Sequence, residues 1–400
     1  MAEIWTQAAV WLGLALIATL VSIWLRVATA LSEIVIGTVA QLFIGALVGT
    51  AALGADQIWV KFLSGTGAIV LTFLAGAELD PAVFRRKWKE ASAIGLISFF
   101  APFLGCAAAA RWLLGWSVEA SWLAGIAMST TSVAVVYAVM LEFGFNVTDY
   151  GKTVLAACFV TDLGTVVALG LLFAPFTLKT LLFIGVMAAA CFILPWLTPR
   201  FFRRYGGRPS ELEAKFLLLV LFGLGALAAW ADSEAVLPAY LMGMILAGTV
   251  GKDHALIRRL RTLCFGLLTP FYFIRAGSFV SVPALIAAPA AFLLMLTVKV
   301  LTKIISVYPV TRAFGSPAKE GMYTTLLMST GLTFGTISAL FGLSHDIVDP
   351  EQYSALVAAV VASAVVPTLI ANAWFMPHHL LPADKRAEAV PAAAGGAKRS

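Results

Sequence analysis

Asp162 sits in the run CFVTDLGTVVALG, residues 158–170, with apolar residues on both sides. The nearest basic residues are Lys152 and Lys179, so its carboxylate lies well inside a stretch long enough to cross a bilayer. A lone charged carboxylate there is expensive, and its default use is an ion or proton site. Out of water, that charge can be cancelled by a proton or by a small cation, and the two can compete for it. Thr161 offers one more oxygen beside it, and Gly164 lets another backbone approach.

Two hydroxyl clusters fall in the middle of apolar runs: Ser129, Thr130, Thr131 and Ser132, then Ser329, Thr330 and Thr333 with Gly331 and Gly335. Hydroxyls at that depth satisfy backbone groups freed where a helix breaks, or bond to the preceding turn of an unbroken one. Arg275, Lys299 and Lys303 also fall inside spans. The two lysines are four residues apart and share a helix face. Lys303 is nearer the membrane surface and snorkels more easily than Lys299. All three read as counter-charges, and a buried lysine can also titrate. Glu78, in FLAGAELDP, is placed to pair with Arg275, whereas Glu33 reads as interfacial.

Such groups need helices to hold them at depth. Of 400 residues, 61% are hydrophobic and 12% charged, a composition that excludes an ordinary soluble protein. Apolar runs of 18–25 residues recur throughout, the length that crosses about 30 Å of hydrocarbon. Thirteen spans are predicted, at 6–25, 30–50, 60–79, 91–114, 118–141, 151–176, 178–198, 214–231, 235–250, 262–281, 284–311, 320–342 and 350–376. The tenth is short, and the helices are expected to break near 128–134 and 328–334. With the N-terminus outside, the cytoplasmic segments carry 21 Lys/Arg and the outside segments 3, which fits an N-out, C-in arrangement. The net charge of +6 therefore reports topology and does not imply nucleic acid.

An internal echo supports the breaks. MSTTSVAVV starts at Met128 and MSTGLTFGT at Met328, in spans that the topology orients oppositely. Such a pair suggests inverted-topology repeats, in which two crossed broken helices place helix ends at the midplane. The fold class is thus an all-α polytopic membrane protein. Arg26, the first positive charge, follows the first apolar run, which predicts a retained helix rather than a cleaved signal. The four cysteines are scattered and read as free thiols, with no metal site and no disulfide. No G-x-G-x-x-G follows a strand, so no nucleotide-binding domain is expected. The tail 377–400 reads as disordered.

Together these residues resemble the monovalent cation:proton antiporter-2 family, within the sodium/hydrogen exchanger superfamily. FLAGAELDP resembles its third-span motif, AGIAMSTTSVAVVYAVMLEFG its first unwound helix and FVTDLGT its ion-site position. TKIISVYPVTRAFG resembles its lysine-bearing helix, with Lys303 at the basic position, and KEGMYTTLLMSTGLTFG its second unwound helix. The likeness covers about residues 5–376. It implies a homodimer in the inner membrane, a mobile core moving by an elevator-type step, and Asp162 as the carboxylate that takes Na⁺ or K⁺ in exchange for H⁺, serving pH homeostasis without a cofactor. Thr161 departs from the pattern, since some relatives carry a second acid there. Arg275 is a second departure. With one mid-span acid, exchange is expected to be one-for-one and electroneutral. The competing readings are a cation channel and a symporter of an organic anion using Arg275 and Lys303. An enzyme is disfavoured, because no His, Cys or Ser constellation converges.

Overall fold

In a computed structural model of the chain, the described residues are 2–25, 29–47, 53–77, 81–145, 148–173, 177–231, 233, 235–287 and 289–381. Among them the regular structure is helical, with no strand. The first half comprises α1 (Ala2–Leu25), α2 (Thr29–Leu47), α3 (Ile58–Ala77), α4 (Pro81–Trp112), α5 (Val118–Ser129), α6 (Val133–Glu142), α7 (Asp149–Phe173) and α8 (Leu178–Tyr205). The second comprises α9 (Leu212–Trp230), α10 (Val236–Leu246), α11 (His254–Leu263), α12 (Thr269–Ser278), α13 (Val282–Ala287), α14 (Pro289–Ala313), α15 (Ala318–Met328), α16 (Thr333–Ser344) and α17 (Pro350–Ile370).

These helices make thirteen spans. Among the described residues, nine stretches are long and apolar enough to cross a bilayer alone, α15 and α16 counting as one. The other four spans are α2, α5 with α6, α10, and α11 with α12. Two boundaries differ from expectation. The tenth span is not short: α11 and α12 join through a π-turn at Cys264–Leu268 into one rod from His254 to Ser278. Its first turns bury Leu256, Ile257 and Leu260 and carry Arg258, Arg259 and Arg261, so a hydropathy window passes over them. The eleventh span opens with the short α13 before α14.

Helix ends are set locally. Ser117 caps α5 by accepting the Ala120 amide at 3.1 Å. Asp349 and Gln352 cap α17 reciprocally at 2.7 and 3.1 Å, with Pro350 in the first helical position.

The repeat is visible in the packing. The two broken spans are the fifth and the twelfth, and an offset of seven spans reverses direction. The same offset turns the α2–α12 pair into the α10–α3 pair, and both pairs pack closely. Each crossing runs through facing glycines. A Cβ on Gly37 would strike the Ile274 carbonyl, and one on Gly277 the Ile34 carbonyl. At the other crossing Gly76 and Gly243 meet the Tyr240 and Phe73 carbonyls in the same way. Around these pairs α4, α5, α7, α14, α16 and α17 gather about the two breaks.

Candidate ion site at two broken helices

Between α5 and α6, Thr130–Ser132 are non-helical, and between α15 and α16 so are Thr330–Leu332. Breaking a helix frees backbone donors and acceptors, which must be satisfied away from water. Here each break serves the other. The Ser132 amide donates to the Thr330 carbonyl at 3.2 Å, and the Thr131 hydroxyl to the Met328 carbonyl at 2.9 Å. Ser132 Oγ accepts the Val135 amide at 3.3 Å and so caps α6. The other hydroxyls take the plainer role: Ser129, Thr130, Ser329 and Thr330 donate to carbonyls of their own preceding turns at 2.7–3.2 Å. Their protons are committed, which leaves oxygen lone pairs for other partners.

Lys303 closes the crossing. Its ammonium is fully buried and donates to Thr130 O at 3.1 Å, Thr131 Oγ1 at 3.0 Å and Met328 O at 2.5 Å. It therefore does not snorkel, and it breaks the two-fold relation of the repeat. The Thr130 carbonyl is held by a lysine, while its counterpart, the Thr330 carbonyl, is held by a backbone amide. Lys299 is equally buried, yet its Nζ has no hydrogen-bond partner among the described residues. It lies against Gly331, the repeat counterpart of Thr131. A Cβ there would strike Lys299 Nζ and stand 2.9 Å from Thr130 Oγ1 and 3.2 Å from Ser363 Oγ.

Asp162 projects from the middle of α7 beside this crossing and is 1% exposed. Its Oδ1 has no hydrogen-bond partner among the described residues, while the backbone amide of Thr131 and the ammonium groups of Lys303 and Lys299 are its polar surroundings. One turn earlier, Cys158 Sγ lies 3.6 Å from Met328 Sδ. Asp162 also lines a cavity of about 570 Å³ with Glu33, Tyr137, Thr333 and Arg261. The carboxylate thus meets a helix break on one side and an open space on the other.

Several expectations change. The Thr161 hydroxyl does not turn to the site: it bonds to Gly95 O on α4 and Ala157 O, both at 3.1 Å, and so stitches α7 to α4. Gly164 admits the ring of Phe99, not a backbone, with a Cβ there 2.9 Å from the ring. Arg275 is in the last turn of α12, where its Nε donates to Ala55 O at 2.8 Å and its guanidinium covers the Phe279 ring. Asp56 lies 3.8 Å from it. Ala55 and Asp56 precede α3, whereas Glu78 follows it and lies outside the described residues. Arg275 is thus bonded to the loop before α3. Glu33 is enclosed by protein, 3% exposed, and lies on the cavity. Thr333 was legible from its break. Glu33 was not, because it reaches the cavity from a helix with no unusual motif, and Tyr137 was not singled out although it follows the first break on α6.

An all-helical bundle whose spans repeat in inverted order, with two broken helices crossing beside a buried carboxylate, has the architecture of a secondary transporter. The family model for the transmembrane sodium/hydrogen exchanger matches residues 13–376, and the chain belongs to that family. It is 26% identical over 387 residues to the glutathione-regulated potassium-efflux system protein KefC of Salmonella arizonae, covering 89% of this chain and 58% of that one. The KefC of Salmonella typhi gives the same identity and coverage. The chain thus spans 58% of the length of these curated relatives. The fold is also that of the sodium proton antiporter MjNhaP1 from Methanocaldococcus jannaschii at pH 8, with TM-score 0.69 over 92% of this chain and 96% of that one, at 16% identity.

Proposed function

We propose that this multi-pass protein exchanges a monovalent cation, Na⁺ or K⁺, for H⁺ across a bacterial inner membrane, with Asp162 holding either one. The observation that carries the reading is the carboxylate itself: buried, with an unpartnered oxygen, between a helix break and a cavity. An ionised Asp162 would bind the cation, helped by lone pairs of the breaks. The core would move, release it and return with a proton in its place. Lys303 holds the two breaks together, so they travel as one unit. With the chain N-out and C-in, as the Lys/Arg count favours, the cavity opens toward the cytoplasm, since Arg261 and the start of α2 are on that side. The family resemblance supports a homodimer with a mobile core.

Organic-anion symport would need basic side chains facing the substrate. Among the described residues the cavity has a single basic lining residue, Arg261; Arg275, Lys299 and Lys303 do not line it, and Lys303 is enclosed by oxygens of the breaks. The test of exchange is fluorescence dequenching in everted vesicles with Na⁺, K⁺, Li⁺ and Rb⁺ across pH, and then with Asp162→Asn in proteoliposomes. The amide has the same volume but cannot alternate between charged and protonated forms, so exchange should vanish while the protein stays folded. Wild-type exchange by Asp162→Asn would end the proposal, and single-channel conductance would replace it with a pore.

A further inference from the structure

The cavity beside Asp162 has a second carboxylate, and nothing in the exchange cycle above uses it. Glu33 is in the second turn of α2, 3% exposed, and no hydrogen bond or ion pair to its carboxylate is made among the described residues. Unlike Asp162 Oδ1, its oxygens are not sealed in protein; they open on the cavity. The two acids come from different parts of the fold. Glu33 is carried by the glycine-crossed α2–α12 pair, Asp162 by α7 beside the breaks.

A carboxylate enclosed in this way, without a protein partner, is neutralised by a proton or by a cation that enters the space, and the two compete for it. The surroundings suit a small hard cation, which takes oxygen ligands. Thr19 lines the cavity with its proton committed to Ala15 O at 2.9 Å, and Thr29 lines it with its hydroxyl bonded to Ser22 Oγ at 3.0 Å. Thr333 adds an oxygen from the second break. The other charged or titratable groups facing this space are Arg261, Tyr137, Asp162 and, within electrostatic reach of Glu33, Cys264.

We propose that Glu33, with Thr19 and Thr29, forms an entrance site that binds a monovalent cation before Asp162 receives it. This rests on the reading of Asp162 as the exchanging group. The site collects cations and sets the apparent affinity from the cavity side, while Asp162 sets whether exchange occurs at all.

The test uses the full chain in proteoliposomes oriented to load from the cavity side, with initial ²²Na⁺ or ⁸⁶Rb⁺ flux measured against concentration. Removing one carboxylate from such a cleft should raise the apparent KM about tenfold. Glu33→Gln should show that rise with the maximal rate kept, and Glu33→Asp should stay near wild type. In Asp162→Asn protein, weak isotope binding should persist by scintillation proximity and be lost when Glu33→Gln is added. An unchanged KM in Glu33→Gln, or residual binding that survives it, overturns the entrance site and leaves the role of Asp162 standing. If Glu33→Gln does not fold, carbodiimide labelling of Glu33 in Asp162→Asn protein, mapped by mass spectrometry, replaces it. Protection by Na⁺ or K⁺ supports the site, and labelling that ignores both ions overturns it.

Discussion

Lys303→Met should leave the protein markedly less stable than Lys299→Met. Each replaces a fully buried ammonium by a thioether of similar length, so each relieves a similar desolvation penalty, worth several kcal/mol per ion. Lys299→Met breaks no hydrogen bond among the described residues, so the relief dominates and the protein should melt at a higher temperature. Lys303→Met loses three bonds from a charged donor, at about 1.5–3 kcal/mol each. The Met328 carbonyl keeps the Thr131 hydroxyl as a partner, but the Thr130 carbonyl does not keep one. The desolvation contribution cancels between the two variants, which should therefore differ by roughly 4.5–9 kcal/mol, with Lys303→Met the weaker. Thermal melts of both proteins, purified in one detergent at one pH, read this difference directly. If Lys303→Met melts at or above Lys299→Met, the ammonium of Lys303 is not what joins the two breaks, and the account of the crossing fails.

Gly277→Ala should destabilise by about 1–3 kcal/mol, because its methyl meets the Ile34 carbonyl, which belongs to a helix and cannot swing aside; a melt no lower than wild type would mean that α2 and α12 can separate freely. Arg275→Ala should lower the melting temperature without changing the pH profile of exchange, since its partners are Ala55 O, Asp56 and the Phe279 ring and none of them lines the cavity; a shifted pH profile would connect it to the site after all. Exchange by the wild type should be electroneutral, because Asp162 is neutral with either ligand. Flux in proteoliposomes clamped at several membrane potentials checks this: a steep voltage dependence would show a second proton carrier, and its loss in Lys299→Met would name Lys299.

The spans were legible because hydropathy reports burial in lipid directly, and MST at 128 and 328 marked the breaks because hydroxyls are what a broken helix needs. Asp162 stood out for the same reason: a charge in hydrocarbon has few explanations. What stayed hidden depends on which way a side chain turns. Thr161 is adjacent to Asp162 in sequence, yet its hydroxyl serves α4. Lys299 and Lys303 share one helix face, yet one is fully bonded and the other is not, because Gly331 leaves a notch where Thr131 supplies a partner. The enclosure of Glu33 was hidden because it follows from how α2 leans on α12, a contact between residues more than two hundred positions apart.

That contact sets a schedule for biogenesis. Thr38 on α2 donates to the Gly277 carbonyl on α12, 239 residues later. At about 5–20 residues per second of synthesis, α2 is in the membrane for roughly 12–48 s before its partner is made. Its glycine face must wait in lipid or against a temporary neighbour, and α3 waits in the same way for α10. Neither half of the chain can close its crossings alone. A ribosome stalled before α10 would leave both early helices open to capture by an insertase or a membrane protease, so quality control of this protein can act before the C-terminal spans exist.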